Sequence, residues 1–180
     1  MFHLLSSRFK SGFTIVEFLV VFGIIGLITT LSIASYNTFT ESFKLKNEVQ
    51  NMIAVFSLAQ KRAIAGEDVT AYCGSTCSFD SFVVVYTGSG GYTMQGRYDT
   101  NAPVGTKVSY GTPITYSIDS VNRNVAILDT GSAVFTKLTG ALDASKIIRF
   151  KNTSKNECIR IDISATVLIS STTITCPESP

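Results

Sequence analysis

Four cysteines, Cys73, Cys77, Cys158 and Cys176, carry the most obvious covalent chemistry in this 180-residue chain. An even count reads as two disulfides, with three connectivities open. Cys73-Gly-Ser-Thr-Cys77 has a turn-forming interior, which favours a local bridge and leaves the other pair to enclose the C-terminal segment. By loop entropy the larger loop contributes ~3 kcal/mol, more than the tight one. A four-cysteine metal site is the rival, but the Cys-x-x-Cys spacing is missing, so no metal is expected. Lys146, Arg149, Lys151, Lys155 and Arg160 make a second cluster, basic, with Glu157 as its one acid. Arg149 and Lys151 share a strand face opposite Ile148 and Phe150. Such a cluster offers phosphate contacts to DNA. The competing and preferred reading is a strand edge blunted by cations against aggregation.

Other arrangements fail on spacing. Asp119, Asp129 and Asp143 are too scattered for a calcium loop. Gly88-Ser89-Gly90-Gly91 is followed by neither a helix nor Lys-Ser/Thr, so it makes no phosphate cradle. Asn152-Thr153-Ser154 matches a glycosylation acceptor, a pattern too frequent by chance to carry weight. With one histidine and no tryptophan, no catalytic constellation emerges, and neither an enzyme nor a cofactor is expected.

The most informative charge is Glu17. Residues 13–34 form an apolar run in which it is the only ionisable group, one helical turn in. A carboxylate inside a membrane-length helix costs roughly 3 kcal/mol to insert, so something outside the lipid must need it. A secretory signal peptide explains neither Glu17 nor a run this long, and a plain anchor explains neither Glu17 nor the Gly12–Phe13 junction. A short basic leader, Gly12, then Phe13-Thr14-x-x-Glu17 and an apolar helix resembles the N-terminus of type IV prepilins.

The resemblance implies a set of roles. Gly12 is the last leader residue, cut by a prepilin peptidase; Phe13 becomes the N-methylated N-terminus. Glu17 pairs with the Phe13 amine of a neighbouring subunit during assembly, two charges neutralising one another only when subunits dock. The helix-bending proline common in the family is absent, with Ala34 at that position, though Gly23 and Gly26 remain as weak points. The chain has 15 Lys+Arg against 13 Asp+Glu. Arg8 and Lys10 lie in the leader, so its removal leaves a formally neutral chain that also lacks His3. Any nucleic-acid binding is then local rather than global.

These residues need elements to position them. No proline occurs from residue 13 to 65, which suits one continuous helix. Beyond the apolar run, Val49, Met52, Ile53, Phe56, Ala59 and Ala63 recur at helical spacing, with Glu48, Gln60, Lys61 and Arg62 on other faces and Gly66 as the stop. The rest reads as β: residues 69–73, 82–87, 92–98, 114–118, 125–128, 134–138, 146–151, 157–163 and 167–170, separated by Gly-, Pro- and Asp-rich turns. Ile159, Ile161 and Ile163 alternate with Arg160 and Asp162, the mark of a strand with one buried face. The expected fold is α+β: a long N-terminal helix, transmembrane in its first half and amphipathic in its second, packed on a C-terminal antiparallel β-domain of pilin-like type. The divisions are a leader at 1–12, a transmembrane and polymerisation half at 13–35, an amphipathic half at 36–66 and a β-rich domain at 67–180.

The helix end, Leu58-Ala59-Gln60-Lys61-Arg62-Ala63-Ile64-Ala65-Gly66, followed by Val69-Thr70-Ala71-Tyr72-Cys73, is similar to the GspH/FimT family of minor pilins and pseudopilins. The usual glycine-arginine turn of its C-terminal strand pair is replaced by Ser164-Ala165-Thr166. The resemblance implies a subunit of a type IV pilus or type II secretion pseudopilus. Its partners would be the prepilin peptidase, other pilins or pseudopilins and the membrane before assembly. It would sit in the cytoplasmic membrane as a single-pass protein with its globular domain outside the cytoplasm. Some members of the family bind DNA for uptake, which makes DNA the candidate partner of the basic cluster.

Overall fold

Thr14 starts the first helix. Its Oγ1 accepts the Glu17 N–H at 3.2 Å and its carbonyl accepts the Phe18 N–H at 3.2 Å, the arrangement of an N-cap. In this computed structural model, which describes residues 14–88, 91–101, 104–118, 124–166 and 168–177, α1 spans Ile15–Ala65. Gly66, at φ +71, ends it by donating its N–H to the Arg62 carbonyl at 3.0 Å. An L-residue rarely adopts that φ, and glycine does so freely. The chain divides into two units, Met1–Phe39 and Thr40–Pro180, and α1 contributes to both.

One expectation is corrected at this point. Among the described residues no helix is long and apolar enough to cross a membrane. The α+β architecture with a transmembrane first half does not stand in that form. The single-pass membrane placement that rested on it is set aside as well.

In the second unit two four-stranded antiparallel sheets follow α1. The first has the order β3-β2-β1-β5, from β1 (Cys77–Thr87), β2 (Gly91–Asn101), β3 (Val104–Tyr116) and β5 (Gly131–Thr136). The second has the order β4-β6-β7-β8, from β4 (Val125–Ile127), β6 (Lys146–Asn152), β7 (Glu157–Ile163) and β8 (Ile169–Thr175). The helical stripe Leu45, Val49, Met52, Phe56, Ala59 and Ala63 is buried and shares one core with the inner residues of both sheets. Phe56 meets Phe135 of β5 at 6.0 Å between ring centroids. Ile148 and Phe150 of β6 and Ile161 of β7 close that core from the second sheet, all fully buried.

Three local expectations change. Residues 69–73, read as a strand, hold α2 (Thr70–Cys73) and a short 3-10 turn, Gly74–Thr76. Asp68 Oδ1 accepts the Thr70 N–H at 2.9 Å, and this local turn outcompetes the weak strand preference of Val69 and Thr70. The Gly111-Thr112-Pro113 stretch, read as a turn, lies inside β3. β3 is an edge strand, where proline removes no ladder bond, and its register shifts between Met94 and Gly96 of β2 absorb the irregularity. Glu48, placed on an outer helical face by periodicity, is buried at 7 % exposure.

Candidate assembly helix and basic strand face

The N-terminal segment of α1 is apolar on all sides. From Ile15 to Ile28 every large apolar side chain is at least 43 % exposed, and Ile15 reaches 81 %. Gly23 and Gly26 sit within it, and a Cβ at either would meet nothing within 4 Å. Helical backbone continues through both glycines. Glu17 is exposed in the first turn. There a carboxylate interacts favourably with the unpaired N–H groups of the helix start. Thr14 and Glu17 have the spacing of a capping box, a local use for Glu17 that the Thr-x-x-Glu pattern signals. Gly12 and Phe13, the assigned cleavage and methylation positions, lie outside the described residues.

The four cysteines form two bonded pairs, Cys73–Cys77 and Cys158–Cys176, with Cα–Cα separations of 6.2 and 5.1 Å. The first closes α2 and the 3-10 turn onto the start of β1. The second ties the end of β8 to β7, whose Cys158 is fully buried.

Arg149, Lys151 and Arg160 share the outer face of the second sheet, while Lys146 falls on the register of the buried Ile148 and Phe150 and Lys155 lies in the turn between β6 and β7, and the cluster does not present a bare positive surface. Arg149 and Arg160 are direct partners across β6 and β7. Each holds an acid. Arg149 donates from Nε to Asp129 Oδ2 at 3.1 Å and from Nη2 to Asp129 Oδ1, while its backbone N–H reaches Oδ2 at 2.7 Å. That carboxylate raises the guanidinium pKa above its ordinary value. Arg160 Nε donates to Asp162 Oδ2 at 2.8 Å, and Lys146 Nζ pairs with Asp143 Oδ2 at 3.4 Å. Lys155 is drawn away to α1, where Nζ donates to Ser42 Oγ at 3.1 Å. Lys151 makes no ion pair among the described residues, and it pairs in register with Ala126 and Cys158. Asp129, a scattered acid in the sequence, is therefore the residue that holds Arg149. Its place just before the Thr130-Gly131 turn into β5 was the available clue.

A polar network at the start of the second unit also escaped the sequence. Asn152 is fully buried. Its Nδ2 donates to the Glu41 carbonyl at 2.9 Å and its Oδ1 accepts the Ser154 N–H at 2.9 Å. Glu41 also accepts from Lys44 at 2.8 Å and from Asn124 at 3.1 Å, and these contacts hold its carboxyl below the ordinary value. A buried, fully engaged Asn152 has structural work, so its glycosylation triplet has no accessible acceptor in the fold. No protein-family model, curated protein or solved structure matches the chain.

Proposed function

We propose that this chain is a pilin-like structural subunit, of the minor pilin or pseudopilin kind, that works by assembly rather than catalysis. Its apolar N-terminal helical segment packs against equivalent segments of other subunits, in a type IV pilus or a type II secretion pseudopilus. The observation that carries the reading is the exposure of every large apolar side chain from Ile15 to Ile28, with Glu17 the one charge among them. A helix apolar all round needs burial. Covering five such side chains contributes about 8–15 kcal/mol, enough to meet the ~4–15 kcal/mol cost of association.

In this reading Glu17 is the register device. It remains a charge in an apolar segment until the Phe13 amine of a neighbour reaches it. DNA capture is the other function the sequence suggests. It asks Lys146, Arg149 and Arg160 to exchange carboxylates they already hold for phosphates, so assembly is the better supported of the two.

Mass spectrometry of the mature N-terminus tests the processing step: the reading expects a methylated Phe13, and Gly12→Val should abolish cleavage. Glu17→Ala should leave the folded domain intact while reducing incorporation into filaments. Normal incorporation of that variant, or a chain beginning at Phe13 in cells lacking the peptidase, would overturn the reading.

A further inference from the structure

Each of the two sheets ends in two edge strands, and three of the four are blunted. β3 carries Lys107 and Pro113 and shifts register against β2 twice. β5 is paired along its outer side by residues 141–143, where the Thr136 N–H donates to the Ala141 carbonyl at 2.9 Å and the Asp143 N–H to the Val134 carbonyl at 3.0 Å. β4 is only three residues long. Charge, proline, irregular register, cover and shortness all discourage pairing at an edge. β8 has none of them. Its seven residues contain no charge, proline or glycine and run in unbroken register with β7. Among the described residues its backbone pairs with β7 alone. Its central Ser170, Ser171, Thr172 and Thr173 are exposed, so a polar surface flanks an open main chain.

The register with β7 decides where these side chains point. Thr173 and Ser171 stand opposite the buried Ile159 and Ile161, on the face turned to α1. Between this face and α1 lie two adjoining hollows of about 220 and 330 Å³, which share Lys46, Ile159 and Thr173. Val49 and Ile159 close the floor and are themselves buried. The walls therefore offer polar groups, Lys46 and Gln50 from α1 and Ser171 and Thr173 from β8, all exposed. None of the four holds a hydrogen bond or ion pair among the described residues. At one end Glu157 Oε2 accepts the Ser42 hydroxyl at 2.8 Å, and Lys155 Nζ donates to the same oxygen at 3.1 Å. That acid and that cation offset one another, which leaves Lys46 as the groove's unmatched charge. Pro177, beyond β8, sits on the opposite face of the sheet with Arg149 and Arg160.

We propose that the β8 edge takes up an extended segment of a partner protein as a further strand, its main chain paired to β8 and a carboxylate turned toward Lys46. In strand addition the main-chain bonds supply affinity and alternate side chains supply specificity. A strand continuing the sheet past β8 turns every second side chain to the α1 side, where Lys46 and Gln50 are exposed. β-branched and hydroxyl side chains suit it, because such residues pair well with the serines and threonines of β8. The charge argues against a second copy of β8 as the occupant, since β8 has no acid to bring to Lys46. The surface lies in the second unit and is independent of assembly through the apolar segment of α1.

The test uses the full chain in a polyoxyethylene detergent, with empty micelles as the blank. The probes are end-capped, fluorescein-labelled peptides of seven alternating Thr and Val residues, with Glu replacing one Thr at each Thr position in turn. Fluorescence anisotropy should show at least one of them binding with a Kd below about 1 mM. Exchanging its Glu for Lys should weaken binding about fivefold. Lys46→Glu, at an exposed helical position, should reverse that preference, which damage to the fold would not do. N-methylation of alternate peptide residues should abolish binding for one of the two possible sets and spare the other, because a single edge of the peptide is paired. No binding of any Glu peptide up to about 1 mM would overturn the proposal. So would an unchanged preference in Lys46→Glu, or two N-methylated sets that behave alike. Tighter binding of a peptide copying Ile169–Thr175 would make a second copy the occupant and overturn it too.

Discussion

Removing the Cys158–Cys176 bridge, as Cys158→Ala with Cys176→Ala, should cost more stability than removing Cys73–Cys77 in the same way. The outer bridge closes a separation of 18 residues and the tight one a separation of 4. Chain entropy then gives about 3.2 kcal/mol for the first and about 1.9 kcal/mol for the second. The structure adds a reason for the same order. β8 is an edge strand whose Ser170, Ser171, Thr172 and Thr173 are all exposed, leaving the half-buried Ile169 and Ile174 to hold it against the core. Without the bridge, β8 keeps its ladder with β7 and the packing of Ile169 and Ile174, so the loss should appear as local fraying. At ~3 °C per kcal/mol for a chain of this size, the midpoint should fall by about 10 °C for the outer pair and about 6 °C for the tight pair. Thermal unfolding followed in the tyrosine near-ultraviolet bands measures the difference, and hydrogen exchange of the β8 amides locates it. An equal or smaller loss for the outer pair, or β8 amides as protected as those of β6, would refute the reasoning.

Gly91→Ala should be among the most damaging single changes, about 3 kcal/mol or more, because its Cβ would collide with the Tyr116 carbonyl at 2.1 Å; chemical denaturation of the variant checks it. Asp129→Asn should cost about 1–2 kcal/mol, since Asp129 takes three hydrogen bonds from Arg149, and the loss should shrink in high salt. Leu138 is 71 % exposed at φ +69, so Leu138→Gly should raise stability by about 0.5–1 kcal/mol by relieving left-handed strain, read from the same denaturation curves. Lys44 first, then Asn124, hold the Glu41 carboxyl below 4.5. A lowered folded value means its contribution is present above that pH and fades as pH falls through it; Glu41→Gln should therefore lower stability at neutral pH and flatten the acid limb below pH 4.5.

The sequence spoke clearly where local pattern and tertiary need agree. The stripe from Val49 to Ala63 has one helical period and one buried face, and Gly66 ends it because the backbone there needs a positive φ. Ile159, Ile161 and Ile163 alternate with polar residues, and β7 buries that face. It misled where side chains act at long range or where an edge relaxes the rules. Gly111 and Pro113 look like a turn until β3 is known to be an edge strand. Asp68 converts an apparent strand into a helical turn through one hydrogen bond. The basic cluster looks like a positive patch in one dimension, yet Asp129 meets Arg149 across 20 residues of sequence, a pairing that no spacing rule contains. Residues 13–34 read as a membrane span, whereas among the described residues no helix is long and apolar enough to cross a membrane. Thr14 and Glu17 are legible together as a cap, because the Thr14 hydroxyl accepts the backbone N–H of the residue three positions on.

The central claim is that the apolar segment from Ile15 to Ile28 is covered by other subunits. Photo-crosslinking tests it most directly, with benzoylphenylalanine placed at Leu19, Phe22 or Leu27 in cells making the full chain, and at the exposed Thr172 as a control. The account predicts subunit-to-subunit crosslinks from the three helical positions, mapped by mass spectrometry to the same apolar segment of the neighbour, and none from Thr172. It also predicts that Glu17→Ala weakens them. Helical positions that crosslink to no other subunit, or only as efficiently as Thr172, would contradict it.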